Sequence, residues 1–260
     1  MTALGFIGAG HIAAAMVEGL RAADSPEDIV LSPRNAGVAS KLVARFPRVT
    51  VAADNQAVVE ASEIVFLAVR PDVAPEIVRA LRFRADHIVV SLVALRPEGE
   101  MRALVSPARH LVRAVPLPSN ARRLGPIAYF PESARARAIF ARIGTPVLAA
   151  DERAFHRLWS LTGLIAPYYA LMESLASWAE EGGVAREAEQ GYVRALFQCL
   201  SAMAQDGKFD DLARQAQTPG GINEQAIALL RASGAFGPWR EALAAVNARM
   251  NRGLDDKAGG

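Results

Sequence analysis

The chain has 260 residues, 52% hydrophobic and 22% charged, with a formal net charge of +2. That length can bury the core of one large domain or two modest ones, and the charge balance excludes a basic groove for nucleic acid, since Arg122, Arg123, Arg135, Arg137 and Arg142 are spread thinly as on solvated helix faces. The single cysteine, Cys199, excludes a disulfide framework and a thiolate metal cluster, and the longest uncharged run, 158–172, is too short for a membrane span of roughly 20 residues.

Up to about residue 150, short apolar runs alternate with helical stretches, the pattern of βαβ units around a parallel sheet. The runs are ALGFI (3–7), DIVLS (28–32), EIVFLAV (63–69), HIVVSLVA (87–94), HLVRAV (110–115) and TPVLA (145–149). Their near-continuous apolar character predicts strands covered on both faces. Helices are predicted over 11–23, 36–46, 54–61, 73–82 and 97–104, several opened by Ser, Asp or Pro.

After residue 152 the strand signals stop and the period is helical throughout. Residues 158–172 are expected to form a buried core helix, and Val193, Leu196, Phe197, Leu200 and Met203 fall on one stripe of a later helix. The expectation is an α/β chain in two parts: a Rossmann-like doubly wound domain over 1–151, and an all-helical domain over 152–260. So small a helical annex cannot cover its own apolar faces, so a homodimer or larger homo-oligomer is expected. Cytoplasm is the expected compartment, because the first strand signal follows no basic leader or cleavage site.

The stretch GFIGAGHIAAAM (5–16) follows the first strand and opens the first helix. In such a turn Gly8 permits the sharp bend, Gly10 lets the backbone approach a pyrophosphate, and Ala13 lets the helix pack closely on the strand. The free N–H groups around His11, Ile12 and Ala13 then face the anion at the positive end of the helix dipole. The cofactor is read from the end of the second strand. An acid there would bond a ribose hydroxyl, but the chain offers Ser32, Pro33, Arg34 and Asn35, while Glu27 and Asp28 stand at the wrong end. Arg34 can fork onto a 2′-phosphate and Ser32 can add a hydrogen bond, so NADP is expected, with NAD as the alternative.

Four segments, GFIGAGHIAAAM, FLAVRP (66–71), HLVRAVPLPSN (110–120) and TPGGINEQ (218–225), resemble in order and spacing the pyrroline-5-carboxylate reductase family. The resemblance implies a Rossmann domain followed by a helical dimerisation domain, reduction of the C=N bond of a cyclic imino acid with NAD(P)H, and a place in proline biosynthesis. It implies that Ala68, Val69, Arg70 and Pro71 lie beside the nicotinamide ribose. It further implies that the loop of Gly220 and Gly221 holds the substrate carboxylate, with Ile222 and Asn223 standing where the family has two threonines. Asn223 takes the position whose side chain bonds the imine nitrogen, and is the catalytic candidate.

Leu117, Pro118, Leu164, Ile165, Ile222 and Asn223 replace smaller or more polar family residues. Leu117, Ile165 and Asn223 favour a second reading, a reductase of another imine or a small carbonyl compound, and the replaced threonines at Ile222 and Asn223 leave open a non-catalytic NADP-binding sensor. The related β-hydroxyacid dehydrogenases rely on a lysine of the helical domain, but the lysines here are Lys41, in the first domain, Lys208, in a loop-like DGKFDD, and Lys257, in the tail. His11, His87, His110 and His156 are scattered, and no metal-ligand spacing appears.

Overall fold

The computed structural model describes residues 3–258. Met1, Thr2, Gly259 and Gly260, the outermost residues of the two expected segments, lie outside the described range. The chain forms two compact units: one runs to Trp159 and takes in the residues from Met250 on, and the other is Ser160–Arg249.

In the first unit, β1 (Ala3–Ile7), α1 (His11–Ala22), β2 (Asp28–Leu31), α2 (Ala36–Arg45), β3 (Val49–Val51), α3 (Asn55–Ala61), β4 (Ile64–Leu67), α4 (Ala74–Arg79), β5 (Ile88–Ser91), α5 (Glu98–Leu104) and β6 (His110–Val115) alternate, all but β3 as the sequence pattern predicts. A 3-10 turn at Pro118–Arg122 then leads into β7 (Pro126–Phe130), α6 (Ala134–Ile143), β8 (Thr145–Leu148) and α7 (Glu152–Ser160). The eight strands make one sheet in the order β3-β2-β1-β4-β5-β6-β7-β8. All neighbours are parallel except β6 and β7.

Two strands were not predicted. β3 is only three residues long, too short for any period to show. β7 begins at Pro126, a residue confined to strand starts and edges, and its antiparallel pairing with β6 inserts one reversed strand into an otherwise parallel sheet.

Alternation along the strands feeds two apolar layers. Leu4, Phe6, Ile64, Phe66 and Val90 point to the side packed by Met16, Val17 and Leu20 of α1 and by Phe140 of α6. Ile7, Val65, Leu67 and Val89 point to the other side, against Val58 and Val59 of α3, Val78 of α4 and Met101 of α5. This double cover explains why the strands read as continuous apolar runs.

The second unit contains a 3-10 turn at Leu161–Leu164, then α8 (Ile165–Glu181), α9 (Arg186–Met203), α10 (Phe209–Gln215), α11 (Ile222–Ala232) and most of α12 (Gly237–Ala258). The expectation of a buried core helix at 158–172 is not met within one chain. Ala176 is the one α8 residue described as buried, while Tyr169 is 64% and Trp178 75% exposed. The physical reason is geometric: a few helices without a sheet to lie on leave apolar faces uncovered.

Candidate functional site

The sheet order places the reversal of strand order between β1 and β4, where open α/β sheets leave a crevice beyond the carboxyl ends of the strands. The glycine turn sits there. Gly8 has φ +98°, a conformation that side chains strain, and a Cβ on it would lie 2.6 Å from the Ala68 carbonyl oxygen. The ends of β1 and β4 can therefore come this close only at a glycine. Ser32, fully buried at the end of β2, accepts the Gly8 N–H on its Oγ at 2.9 Å, so it braces the turn from behind. Asn35 also ties in, with Nδ2 donating to the Ala9 carbonyl at 3.0 Å.

Gly10 caps α1, and a Cβ built there would meet nothing within 4 Å. The helix start has neither a side-chain cap nor an acidic residue in its first turn. Its first intrahelical bond is Ala14 N–H to Gly10 carbonyl, so the donors of His11, Ile12 and Ala13 precede the ladder. Ala13 is fully buried against the sheet, Ile12 is half-buried and His11 is exposed. Space, free donors and an unopposed positive helix end together fit a dinucleotide pyrophosphate.

Arg34 is exposed just beyond β2 and has no ion-pair partner among the described residues. Ala68 and Val69 are half-buried at the end of β4, and Arg70 is exposed and pairs with Asp72 at 2.9 Å. Pro71 is held from β5's side of the crevice: Arg96 donates from Nε and Nη2 to its carbonyl at 3.1 and 3.0 Å, and pairs with Glu100 at 2.9 Å. The turn after β4 is thus held by the Arg96 guanidinium.

In the second unit, the loop between α10 and α11 accounts for Thr218, Gly220 and Gly221 of the Thr-Pro-Gly-Gly stretch. Gly220 has φ +71°, and a Cβ on Gly221 would lie 2.3 Å from Thr218 Oγ1. The Gly221 N–H is held by the Thr218 carbonyl at 2.8 Å. The Gly220 N–H donates to the Glu224 carboxylate at 2.7 Å. Ile222, 83% exposed, and Asn223 open α11. One amide hydrogen of Asn223 is taken by the Ala216 carbonyl at 3.1 Å, which leaves its Oδ1 and second hydrogen available.

Glu224 is a residue that sequence reasoning passed over, although an acid three places after a helix cap is a legible signal. A second overlooked group lies in the first unit. Arg113 of β6 is fully buried and ion-paired with Glu152 of α7. Its Nη1 lies 2.8 Å from His156 Nε2, and His156 Nδ1 lies 2.7 Å from Asn251 Oδ1. Arginine can only donate, so Nε2 accepts and the ring proton sits on Nδ1. Burial pushes the His156 imidazolium down, and the Arg113 charge adds to that. An arginine inside an apolar strand covered on both faces was the sequence signal for such a partner.

The four histidines are not brought together, and no group of three His, Cys, Asp or Glu side chains is placed to hold a metal among the described residues. Lys41 and Lys208 are exposed, and the Lys257 side chain lies outside what the structure describes. Tyr168 packs edge-on against Phe197 at 5.4 Å between ring centres, as an aromatic packing residue does. Among the described residues no helix is long and apolar enough to cross a membrane.

A glycine turn with open donors at the switch point of a mostly parallel sheet, joined to an all-helical unit, defines the class of two-domain dinucleotide-binding oxidoreductase folds. Residues 3–95 match the family model described as NADP oxidoreductase coenzyme F420-dependent, and residues 152–252 match the one described as pyrroline-5-carboxylate reductase dimerisation. The chain is 26% identical over 259 residues to the pyrroline-5-carboxylate reductase of Pseudomonas aeruginosa, covering 95% of this chain and 94% of that protein. Solved pyrroline-5-carboxylate reductases share the fold. The Coxiella burnetii structure superposes with a TM-score of 0.84 at 23% identity, over 96% of this chain and 97% of that one. The Plasmodium falciparum structure, solved with NADP bound, gives 0.81 at 18% identity over the same shares. Over nearly its whole length the chain is thus similar to pyrroline-5-carboxylate reductases, and its helical unit carries their dimerisation domain.

Proposed function

We propose that this chain is an NADPH-dependent reductase of a cyclic imino acid, taking pyrroline-5-carboxylate to proline. The observation that carries the reading is the bare start of α1: free N–H donors, no acid in the first turn, and open space in front of Gly10 at the switch point. The similarity to pyrroline-5-carboxylate reductases over 95% of the chain supports the reaction that a dinucleotide held there would serve.

Bound NADPH supplies the hydride. The chain's own residues bind and orient: the N–H groups of His11, Ile12 and Ala13 take the pyrophosphate, and unpaired Arg34 takes the 2′-phosphate as a fork. Ser32 holds the turn in shape, and Ala68, Val69, Arg70 and Pro71 flank the ribose. In the second unit, the Gly220–Asn223 stretch is the substrate-acid candidate, and the remaining polar atoms of the Asn223 amide are the groups offered to the ring nitrogen. Since an amide does not relay protons as a hydroxyl does, the role assigned to Asn223 is orientation.

One observation favours a second reading. Ile222 presents an apolar side chain at the first position of α11, and an imine with less polar substituents would gain from it. Exposed Tyr169, Trp178, Tyr192 and Met203 point to a homodimer built on the helical unit, in line with the dimerisation model it matches. Cys199 is free, which suits the reducing cytoplasm.

The test is consumption of NADPH absorbance by purified protein given pyrroline-5-carboxylate. Turnover of that substrate supports the main reading. Turnover only of other imines or small ketones selects the second, and NADPH binding without turnover across the panel identifies a sensor.

A further inference from the structure

The two helix starts assigned to anions are built differently. The first turn of α1 carries no acidic residue. The first turn of α11 carries Glu224, whose Oε2 sits 2.7 Å from the Gly220 nitrogen. The loop amide is therefore shown with a carboxylate on it, and that carboxylate is the protein's own.

We propose that Glu224 is a specificity-determining residue that competes with the substrate carboxylate for the Gly220 N–H, holding down affinity for acidic ring compounds. This rests on the reading of the Gly220–Asn223 stretch as the substrate-acid site. The physical basis is that two monoanions cannot share one donor at one helix end without mutual repulsion. The remaining donors lie beside the same charge: the Gly221 N–H is held by Thr218, and the N–H groups of Ile222, Asn223 and Glu224 precede the first helical bond, Gln225 N–H to Gly221 carbonyl at 3.1 Å. An incoming carboxylate must either displace Glu224 or settle on these three beside its charge. A ring imine without a carboxylate meets no such competitor.

Glu224→Gln isolates the charge, because the glutamine carbonyl still accepts the Gly220 N–H and preserves the loop. Bulky substitution at Gly221 would not, since it collides with Thr218 Oγ1. In steady-state assays at saturating NADPH, E224Q is expected to lower KM for pyrroline-5-carboxylate about fivefold, the size of one exposed like-charge contact. KM for 1-pyrroline, the same ring without the acid, is expected to stay unchanged. An unchanged or raised KM for the acid, or equal shifts for both substrates, overturns the proposal.

Calorimetric binding of L-proline to the NADP-loaded protein keeps the test independent of turnover. E224Q is expected to bind proline several-fold more tightly than the unmodified chain, while Tm stays within a few degrees. Equal affinity, or binding by neither, overturns the role of Glu224 even in an active enzyme. Absent turnover with tighter proline binding in E224Q leaves that role standing and removes the reductase reading instead.

Discussion

Buried Arg113 and half-buried Glu152 form an ion pair that joins β6, an inner strand of the sheet, to the first turn of α7. Glu152 Oε1 also accepts the Glu98 N–H at 2.6 Å, so one carboxylate anchors β6 and the start of α5 together. The guanidinium lies over the Phe155 ring at 4.9 Å and near Trp159 at 5.8 Å. Burial pulls its proton affinity down and Glu152 opposes that pull.

Such a pair is costly to break from one side, because the remaining charge is stranded in an apolar setting. Glu152→Gln or Arg113→Met is expected to destabilise the chain by about 3–5 kcal/mol in urea unfolding. The R113M/E152Q double variant should cost less than the sum of the two singles, since it leaves neither charge without its partner. Strict additivity would show that the two side chains do not act as a pair.

His156 makes folding sensitive to mild acid. It is neutral in the fold, pushed down by burial, and the charged groups around it are Arg113, Arg153 and Glu152. In the unfolded chain it titrates near 6.5. Below about pH 6.5 the unfolded state therefore takes up a proton that the folded state refuses, and stability falls as pH drops. Above pH 7 the contribution is flat. His87, also lowered by burial, adds to the same slope. Unfolding free energies between pH 7.5 and 5.5 should decline in the unmodified chain and decline less in H156Q; an equal slope in the two would exclude His156 as a source.

Gly8→Ala is expected to damage the cofactor turn and the sheet together. The new Cβ would approach the Ala68 carbonyl at 2.6 Å in a conformation that alanine resists. A loss of about 1–3 kcal/mol in stability follows from backbone strain of this kind. NADPH affinity, followed by quenching of protein fluorescence, should fall at least tenfold. Gly10→Ala meets no atom within 4 Å, so any loss of affinity it causes without loss of stability reports contact with the cofactor itself.

What the sequence made legible follows from period and punctuation. Strands fed from both faces read as apolar runs, and the Gly8 turn read as a phosphate site because it stood between a strand and a helix. The short β3 left too few residues for a pattern, and Pro126 hid β7 because proline argues against a strand interior. The candidate site was legible where a positive φ or a close approach requires glycine, at Gly8, Gly220 and Gly221. It was less so where one side chain answers another distant in sequence. The pairing of Arg113 with Glu152, the bracing of Gly8 by Ser32 and the clamp of Arg96 on Pro71 all depend on which loops the fold brings side by side. Exposure of α8 escaped for a related reason: an apolar helix reads the same whether its own chain covers it or not.

Arg34 gives the cofactor choice its sharpest test. It stands just past β2, exposed and without an ion-pair partner among the described residues, while the acids nearest in sequence, Glu27 and Asp28, are engaged with Arg142 and Arg48. A guanidinium in that position gains from a 2′-phosphate and gains nothing comparable from a ribose hydroxyl. Arg34→Ala should therefore raise KM for NADPH by ten- to a hundredfold, the range of a charge-assisted phosphate contact of about 1.5–3 kcal/mol, while KM for NADH changes less than twofold. Because the side chain supports no other part of the fold, Tm should not move. Equal effects on the two cofactors, or a clear loss of stability, would mean that Arg34 does not read the 2′-phosphate.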